Sequence, residues 1–283
     1  MRVTDWLKQA NQELQTAGIG TARLDSLVLL EDGTGKDRAW LLARPGFELL
    51  PAQVIRLRKL LTRRAAHEPL AYIRGKTEFY GREFVLTQAV LEPRPESEAM
   101  IGLLKTLDQK GLLKPNDRQK LKIADVGTGS GALGITAALE LSKALVELID
   151  IDPEALKVAK TNVDKFTLNI SLIKSDLLEQ SSQDYDVLLC NLPYVPDSYH
   201  INQAATHEPS VAIFGGPDGL DLYRRLFKQV AKLPQQPLYI LTEALPPQHA
   251  SLEQLANKSG YKLKQTDDFV QVFENSSKPS KIY

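Results

Sequence analysis

Residues 121–134 read LKIADVGTGSGALG. An apolar run from Leu121 to Val126 breaks into a stretch where Gly127, Gly129 and Gly131 alternate with Thr128 and Ser130, and a helical pattern opens near Ala132. Glycine reaches backbone conformations closed to other residues and lets the chain approach a ligand closely. The stretch therefore reads as a strand, a tight turn and a helix N-terminus. From Gly129 through Gly134 the turn also satisfies G-x-G-x-x-G, which admits a dinucleotide site. A strand-to-helix turn without any ligand satisfies it too.

Downstream the same rhythm repeats. Strand-like runs ALVELID, ISLIKSD, YDVLLCN and PLYILTE, and a final pair near YKLKQ and FVQVFEN, alternate with helix-like segments such as PEALKVAKTNVDKF. Such alternation implies an α/β domain with a mainly parallel sheet covered on both faces. Upstream the chain is helical in pattern. Trp6, Leu7 and Leu14 fall on one helical face, a second amphipathic run begins near Arg23, and RAWLLARPG gives a short third helix closed by Pro45 and Gly46. PAQVIRLRKLLTRRAAHEP starts with a proline suited to a first helical turn. TEFYGREFVLTQAVL, with aromatic and β-branched residues around Gly81, reads as a hairpin. The expected division is a helical domain over 1–75, a hairpin linker over 76–92 and the α/β domain over 93–283. The polar tail SSKPSKIY is expected to fray.

The bulk composition narrows the functional classes. The chain has 283 residues, 43% of them hydrophobic, and 35 basic side chains balance 35 acidic ones. That balance argues against an affinity that comes mainly from neutralising nucleic-acid phosphates. Between Pro51 and Arg82 eight cations (Arg56, Arg58, Lys59, Arg63, Arg64, Arg74, Lys76 and Arg82) face only Glu68 and Glu78. The run reads as a solvated helix face, with a docking surface as the alternative. The single cysteine, Cys190, rules out an internal disulfide and sits in an apolar run as a small buried hydrophobe. Four scattered histidines show no metal-ligand spacing. The N-terminus MRVTDWLKQANQELQ reads as a polar helix rather than a signal peptide, and no run has the length of a membrane span. A soluble, cytoplasmic and monomeric protein is expected.

The acids sharpen the reading of the glycine turn. Asp150 ends the second strand about 20 residues on, where a carboxylate can accept hydrogen bonds from ribose hydroxyls; Asp152 is its competitor. Asp125 ends the first strand and Asp176 the third. An acidic rim suits a cationic, sugar-bearing cofactor such as S-adenosylmethionine better than NAD with its two phosphates.

The fourth strand ends in CNLPYVP, residues 190–196. An amide beside a buried run needs a partner, either structural or bound. One chemistry that needs this pattern is methylation of a planar nitrogen, whose lone pair is delocalised and poorly nucleophilic. The Asn191 side-chain oxygen and the Leu192 carbonyl can accept its two N–H bonds and aim the lone pair at a methyl donor. Both contacts strengthen as the nitrogen gains positive charge. Tyr194 offers a flat wall for a planar group, and Pro193 stiffens the loop.

NLPY resembles the NPPY signature of methyltransferases acting on planar nitrogen, with leucine in place of the first proline. Around it, RRAAHEPLAYIRGKTEFYGREFVL, LEPRPESE, ADVGTGSGALGI and HEPSVAIFGGPDGLDLYRRL resemble, in order and spacing, the HemK-type peptide chain release factor glutamine methyltransferases. The resemblance implies a class I S-adenosylmethionine-dependent methyltransferase domain, Rossmann-like with a mainly parallel sheet, behind a small all-helical N-terminal domain and a β-hairpin. It implies methyl transfer to the side-chain amide nitrogen (N5) of the glutamine in the Gly-Gly-Gln motif of class I release factors. It assigns the cofactor loop to Gly127, Thr128, Gly129, Ser130 and Gly131, the ribose acid to Asp150 and the adenine pocket to Leu177, with Asp176 before it also on the cofactor side. The glutamine amide goes to Asn191, Leu192, Pro193 and Tyr194, with Asn191 also counted on the cofactor side. Leu177 stands where the family sometimes has an aromatic. FVQVFENSS replaces its usual final Gly-x-x-Arg run and reads as a variant last strand. A glutamine methyltransferase of a ribosomal protein, an adenine-N6 nucleic-acid methyltransferase and a non-catalytic binding module are the competing readings.

Overall fold

Five helices form where apolar residues recur three and four positions apart. Helix α1 (Val3–Thr16) buries Val3, Trp6, Ala10 and Leu14, while Leu7 packs against the same core partly exposed. Helix α2 (Ala22–Thr34) buries Val28, Leu29 and Leu30. Its Gly33 meets Leu57 so closely that a Cβ there would lie 2.3 Å from the Leu57 Cδ2. Asp37 caps α3 (Arg38–Leu42) by accepting from Trp40 N at 2.8 Å. Helix α4 (Pro51–Ala65) starts on its proline and buries Leu57 and Leu61, and α5 (Leu70–Arg74) closes the series. The computed structural model describes residues 1–115, 120–181 and 184–277. Of the tail expected to fray, residues 278–283 lie outside them.

The chain divides into two compact units, Met1–Lys76 with Ile201–His207, and Thr77–His200 with Glu208 onward. The basic run resolves into ion pairs within each unit. Arg58 meets Glu13 at 2.5 Å, Arg63 meets Glu68 at 2.5 Å, Arg64 meets Asp25 at 2.6 Å and Arg74 meets Asp32 at 2.7 Å. In the second unit Arg82 meets Glu140 at 2.6 Å. Five of the eight cations are thus committed to acids of their own chain.

Strands β1 (Lys76–Phe79) and β2 (Arg82–Val85) form the hairpin. Tyr80 (φ 51°) and Gly81 (φ 69°) are both left-handed, the requirement of a tight two-residue turn whose twist matches its strands. The second unit then runs α6 (Glu98–Gln109), β3 (Lys122–Val126), α7 (Ala132–Glu140), β4 (Leu145–Asp150), α8 (Pro153–Lys165), β5 (Ser171–Lys174) and β6 (Val187–Cys190). It ends with α9 (Asp221–Val230), β7 (Tyr239–Glu243), α10 (His249–Lys258), β8 (Tyr261–Asp267) and β9 (Val270–Asn275). The sheet order is β5-β4-β3-β6-β7-β9-β8. The first five strands are parallel, and β9 runs antiparallel to both neighbours. The variant last strand is a full member of the sheet.

Side chains alternate across it, as the period of a strand demands. Ile123, Leu148, Leu189 and Leu241 face a core with Met100, Ile101, Leu104 and Ile135. Ala124, Ile149, Leu188 and Ile240 face Tyr223, Leu226, Phe227 and Leu252 on the other side. Succession from β3 runs outward through β4 and β5 one way and through β6 and β7 the other. Order reverses between β3 and β6, and a crevice opens beyond the carboxyl ends of strands at such a switch point. Among the described residues, no helix is long and apolar enough to cross a membrane.

Candidate functional site

The crevice at the switch point encloses about 270 Å³ and is lined by both stretches singled out in the sequence. On one side the loop after β3 turns through Gly127 (φ 75°), Gly129 (φ 55°) and Gly131 (φ 84°), all in the left-handed region where a Cβ is strained. Gly127 N and Thr128 N both donate to Ile149 O, at 2.9 and 3.0 Å, and Gly131 N donates to Thr128 O at 2.9 Å. Gly127, Thr128, Gly129 and Ser130 line the crevice, and Gly131 opens α7.

Asp125 departs from expectation. It lies beneath the loop, 1% exposed, and is not among the residues lining the crevice. Its Oδ2 accepts from Thr128 Oγ1 at 2.6 Å and from Gly134 N at 2.8 Å, which ties the loop to the first turn of α7. Burial pushes its carboxyl up to about 6 against those two hydrogen bonds. A strand-end acid expected to face a ligand is instead a brace for the loop. Gly134 is needed for the same contact, since a Cβ there would lie 2.2 Å from Leu148 Cδ2 and 2.9 Å from the Asp125 Cβ.

Asp150 and Asp152 both reach the crevice and do different things. Asp152 caps α8, its carboxylate accepting from Glu154 N at 2.8 Å. Asp150 accepts from Gly129 N at 2.9 Å on one oxygen and from Asp152 N at 2.9 Å on the other, leaving a further lone pair on each. Burial raises its pKa, and the backbone donors oppose the shift. From α8, the fully buried Asn162 donates to Ser130 O at 2.9 Å and to Val85 O at 3.0 Å, and accepts from Val85 N at 2.7 Å. It clamps the glycine loop to the hairpin. Beyond β5, Asp176 pairs with Arg225, and Leu177 is buried in the left-handed region (φ 53°) and lines the crevice.

On the other side Asn191, Leu192 and Pro193 line the crevice. Asn191 Nδ2 donates to Ser97 Oγ at 2.8 Å. Leu192 is 2% exposed, and its amide lies 3.4 Å from the Tyr223 hydroxyl, which also contacts Cys190 O at 3.0 Å and Glu243 O at 2.6 Å. Tyr223 therefore fills the gap where β6 and β7 part. The segment 213–219 cradles the loop through its backbone. Val195 N donates to Ile213 O at 3.0 Å, and Gly215 N donates to Val195 O at 2.9 Å. A Cβ on Gly215 would lie 2.3 Å from Pro193 O, and one on Gly219 would lie 2.0 Å from Tyr194 O. Gln248 Nε2 bridges Tyr194 O and Asp218 O at 2.7 Å each.

Tyr194 is not among the residues that line the crevice. Its hydroxyl turns inward and donates to Glu243 Oε1 at 3.0 Å. Burial, and then the Glu243 carboxylate, raise its pKa far above the ordinary tyrosine range. Glu243 is fully buried at the carboxyl end of β7. The facing wall of the crevice joins Arg94 to Glu208 at 2.5 Å, which ties LEPRP to HEPSVA. Both arginines that line the crevice, Arg94 and Arg225, are therefore paired with acids.

Ser97, Asn162, Tyr223, Glu243 and Gln248 were not singled out from the sequence. For Glu243 a signal was present. It is a polar residue closing a buried strand, as Asp150 and Asn191 are.

Comparison with known proteins is consistent along the chain. The PrmC N-terminal domain matches residues 5–75, and the methyltransferase small domain matches residues 102–208. The release factor glutamine methyltransferase of Moorella thermoacetica is 37% identical over 239 residues, covering 82% of this chain and 82% of that one. That of Bacillus subtilis is 32% identical over 259 residues, covering 89% and 88%. The bifunctional methyltransferase of Rickettsia prowazekii is 33% identical over 274 residues, and this chain spans 53% of its length. Among solved structures, the hMettl16 catalytic domain in complex with MAT2A 3'UTR hairpin 6 superposes with a TM-score of 0.55. It is 15% identical and covers 82% of this chain and 84% of that one, a likeness of fold alone.

Proposed function

Since the chain belongs to the release factor glutamine methyltransferase family and carries a class I methyltransferase sheet, we propose that it methylates a release-factor glutamine. The methyl goes from S-adenosylmethionine to the side-chain amide nitrogen (N5) of the glutamine in the Gly-Gly-Gln motif of a class I release factor. The observation that carries the reading is the meeting of the glycine loop and Asn191–Pro193 in one crevice.

The residues present fit the cofactor. Left-handed glycines let the loop backbone come close to a nucleoside, and Asp150 beside Gly129 keeps lone pairs for ribose hydroxyls while Asp152 is spent as a helix cap. The lining cations are already neutralised by acids, which favours a cationic ligand over a pyrophosphate. When bound, S-adenosylmethionine supplies a methyl group activated by its sulfonium. The chain's own task is to hold a weak nucleophile in line. Asn191 donates its Nδ2 to Ser97, which leaves Oδ1 as an acceptor for one N–H of the substrate amide. The Leu192 carbonyl accepts the other. Extended geometry before Pro193 keeps that carbonyl at the crevice, and the Tyr223 hydroxyl holds the Leu192 amide from behind. Both acceptors gain strength as charge develops on nitrogen, and alignment of two bound reactants is worth ~7–11 kcal/mol.

Mass spectrometry of purified release factor after incubation with the protein and S-adenosylmethionine tests this. One added methyl on the Gly-Gly-Gln peptide is expected. Methylation confined to a ribosomal protein or to nucleic acid, or none at all, would overturn it.

A further inference from the structure

An asparagine at the head of a methyl-transfer loop has two faces of almost equal shape. Rotation of its amide by half a turn exchanges a hydrogen-bond acceptor for a donor. Only one face serves the reaction proposed above, because the substrate NH2 needs an acceptor. The Ser97 contact at 2.8 Å does not decide the matter by itself, since a hydroxyl donates or accepts equally well. Something behind Ser97 has to break the symmetry.

Glu243, acceptor-only as a carboxylate, stands on the strand beside Asn191. It closes β7, is fully buried, and takes the Tyr194 hydroxyl at 3.0 Å on Oε1. Its Oε2 is buried with no hydrogen-bond partner among the described residues, and the register that sets Cys190 beside Thr242 brings Asn191 alongside Glu243. Burial raises the Glu243 pKa, and Ser97, Tyr194 and Asn191 oppose that shift. In its charged form this carboxyl attracts hydrogens and repels lone pairs. It turns the Ser97 proton toward itself, and the Ser97 oxygen is then left to accept from Asn191 Nδ2. The same field disfavours the Asn191 oxygen on the inner side. Orientation thus passes from Glu243 through Ser97 to Asn191 and leaves Oδ1 directed outward. Tyr194, held by the other oxygen, fixes the far end of the loop from the same residue.

We propose that Glu243 is a positioning residue of the methyl-transfer site, whose acceptor-only carboxylate sets the Ser97 hydroxyl and the Asn191 amide so that Asn191 Oδ1 faces the crevice. The inference rests on the function proposed above. It assigns Glu243 no contact with substrate or cofactor.

Glu243→Met removes every acceptor at nearly constant volume, and Glu243→Gln replaces the carboxylate by an amide that can face either way. Steady-state methylation of release factor, calorimetry of S-adenosylmethionine binding and thermal melting are measured on each. Glu243→Met is expected to lower kcat by about 100-fold or more and Glu243→Gln by about tenfold or more, in line with losing one transition-state hydrogen bond. The cofactor Kd and the KM for release factor are expected to stay within about threefold, the mark of an interaction made only in the transition state. Ser97→Ala is expected to lose kcat in the same way, and Ser97→Ala with Glu243→Met to be no worse than Glu243→Met alone, because both act through one chain of contacts. A folded Glu243→Met protein with wild-type kcat would overturn the proposal, as would losses that multiply independently. Should Glu243→Met fail to fold, Glu243→Gln and Ser97→Ala decide by the same criteria. Wild-type protein that leaves release factor unmodified would sink the proposed function itself. An active wild type with an equally active Glu243→Met sinks only this inference.

Discussion

The two sides of the crevice stand on neighbouring strands, β3 and β6, yet they are held in different ways. The glycine loop is braced from nearby in the chain. Asp125 reaches Thr128 and Gly134, 3 and 9 residues away, Asp150 reaches Gly129, 21 residues away, and Asn162 reaches Ser130, 32 residues away. The loop at Asn191 takes most of its supports from farther away. Ser97 is 94 residues from Asn191, Tyr223 is 31 from Leu192, Glu243 is 49 from Tyr194 and Gln248 is 54 from it. A loop made of glycines adopts its shape by local conformational freedom, and its braces hold that shape in place. In the proposed function the loop at Asn191 presents one face of an amide and one carbonyl, and neighbours impose that orientation, because nothing in its own backbone distinguishes the two faces.

The contrast makes separable predictions. Asn191→Ala should reduce kcat for release-factor methylation by about 10²–10³, the cost of removing one transition-state hydrogen bond, and leave the cofactor Kd within a few-fold. Rapid-quench kinetics beside calorimetry would check it, and a parallel collapse of both quantities would erase the division between the two sides. Asp150→Ala should do the reverse, raising the cofactor Kd by about 10–100-fold through lost charge-assisted hydrogen bonds, with kcat at saturating cofactor much less affected. An unchanged Kd in that titration would move the ribose role to Asp152. Leu192→Pro is expected to have the smallest effect. The Leu192 amide makes a long hydrogen bond, at 3.4 Å, to Tyr223, and the proposed role needs the carbonyl alone. Activity should stay within a few-fold, with stability lower by about 1–2 kcal/mol from the shortened buried side chain, measured by urea denaturation.

Legibility in the sequence followed the same division. The glycine loop, the strand-helix alternation, the hairpin at Gly81 and the helical N-terminal pattern were all visible, because each is written in residues close together. Asn191 was visible for the same reason, as an amide closing an apolar run. Asp125 was misread. It ends a strand as Asp150 does, but side chains alternate along a strand, and the position before the last points under the loop instead of across the crevice. Tyr194 was read as a wall, and its hydroxyl in fact reaches into the core toward Glu243. The basic run from Pro51 to Arg82 read as solvated charge, and most of it is taken up by acids such as Glu13, Asp25 and Asp32 that no local pattern could pair with it.

The order of residues by itself determined an α/β sheet, a glycine turn at the head of its first parallel strand and polar residues closing the buried strands, since hydrophobic period and backbone freedom are properties of short segments. Only the tertiary structure decided which of those polar residues face the crevice and which brace it. That choice depends on strands placed side by side across dozens of residues, and a buried hydrogen-bonding group takes its direction from whatever partner the fold brings within reach.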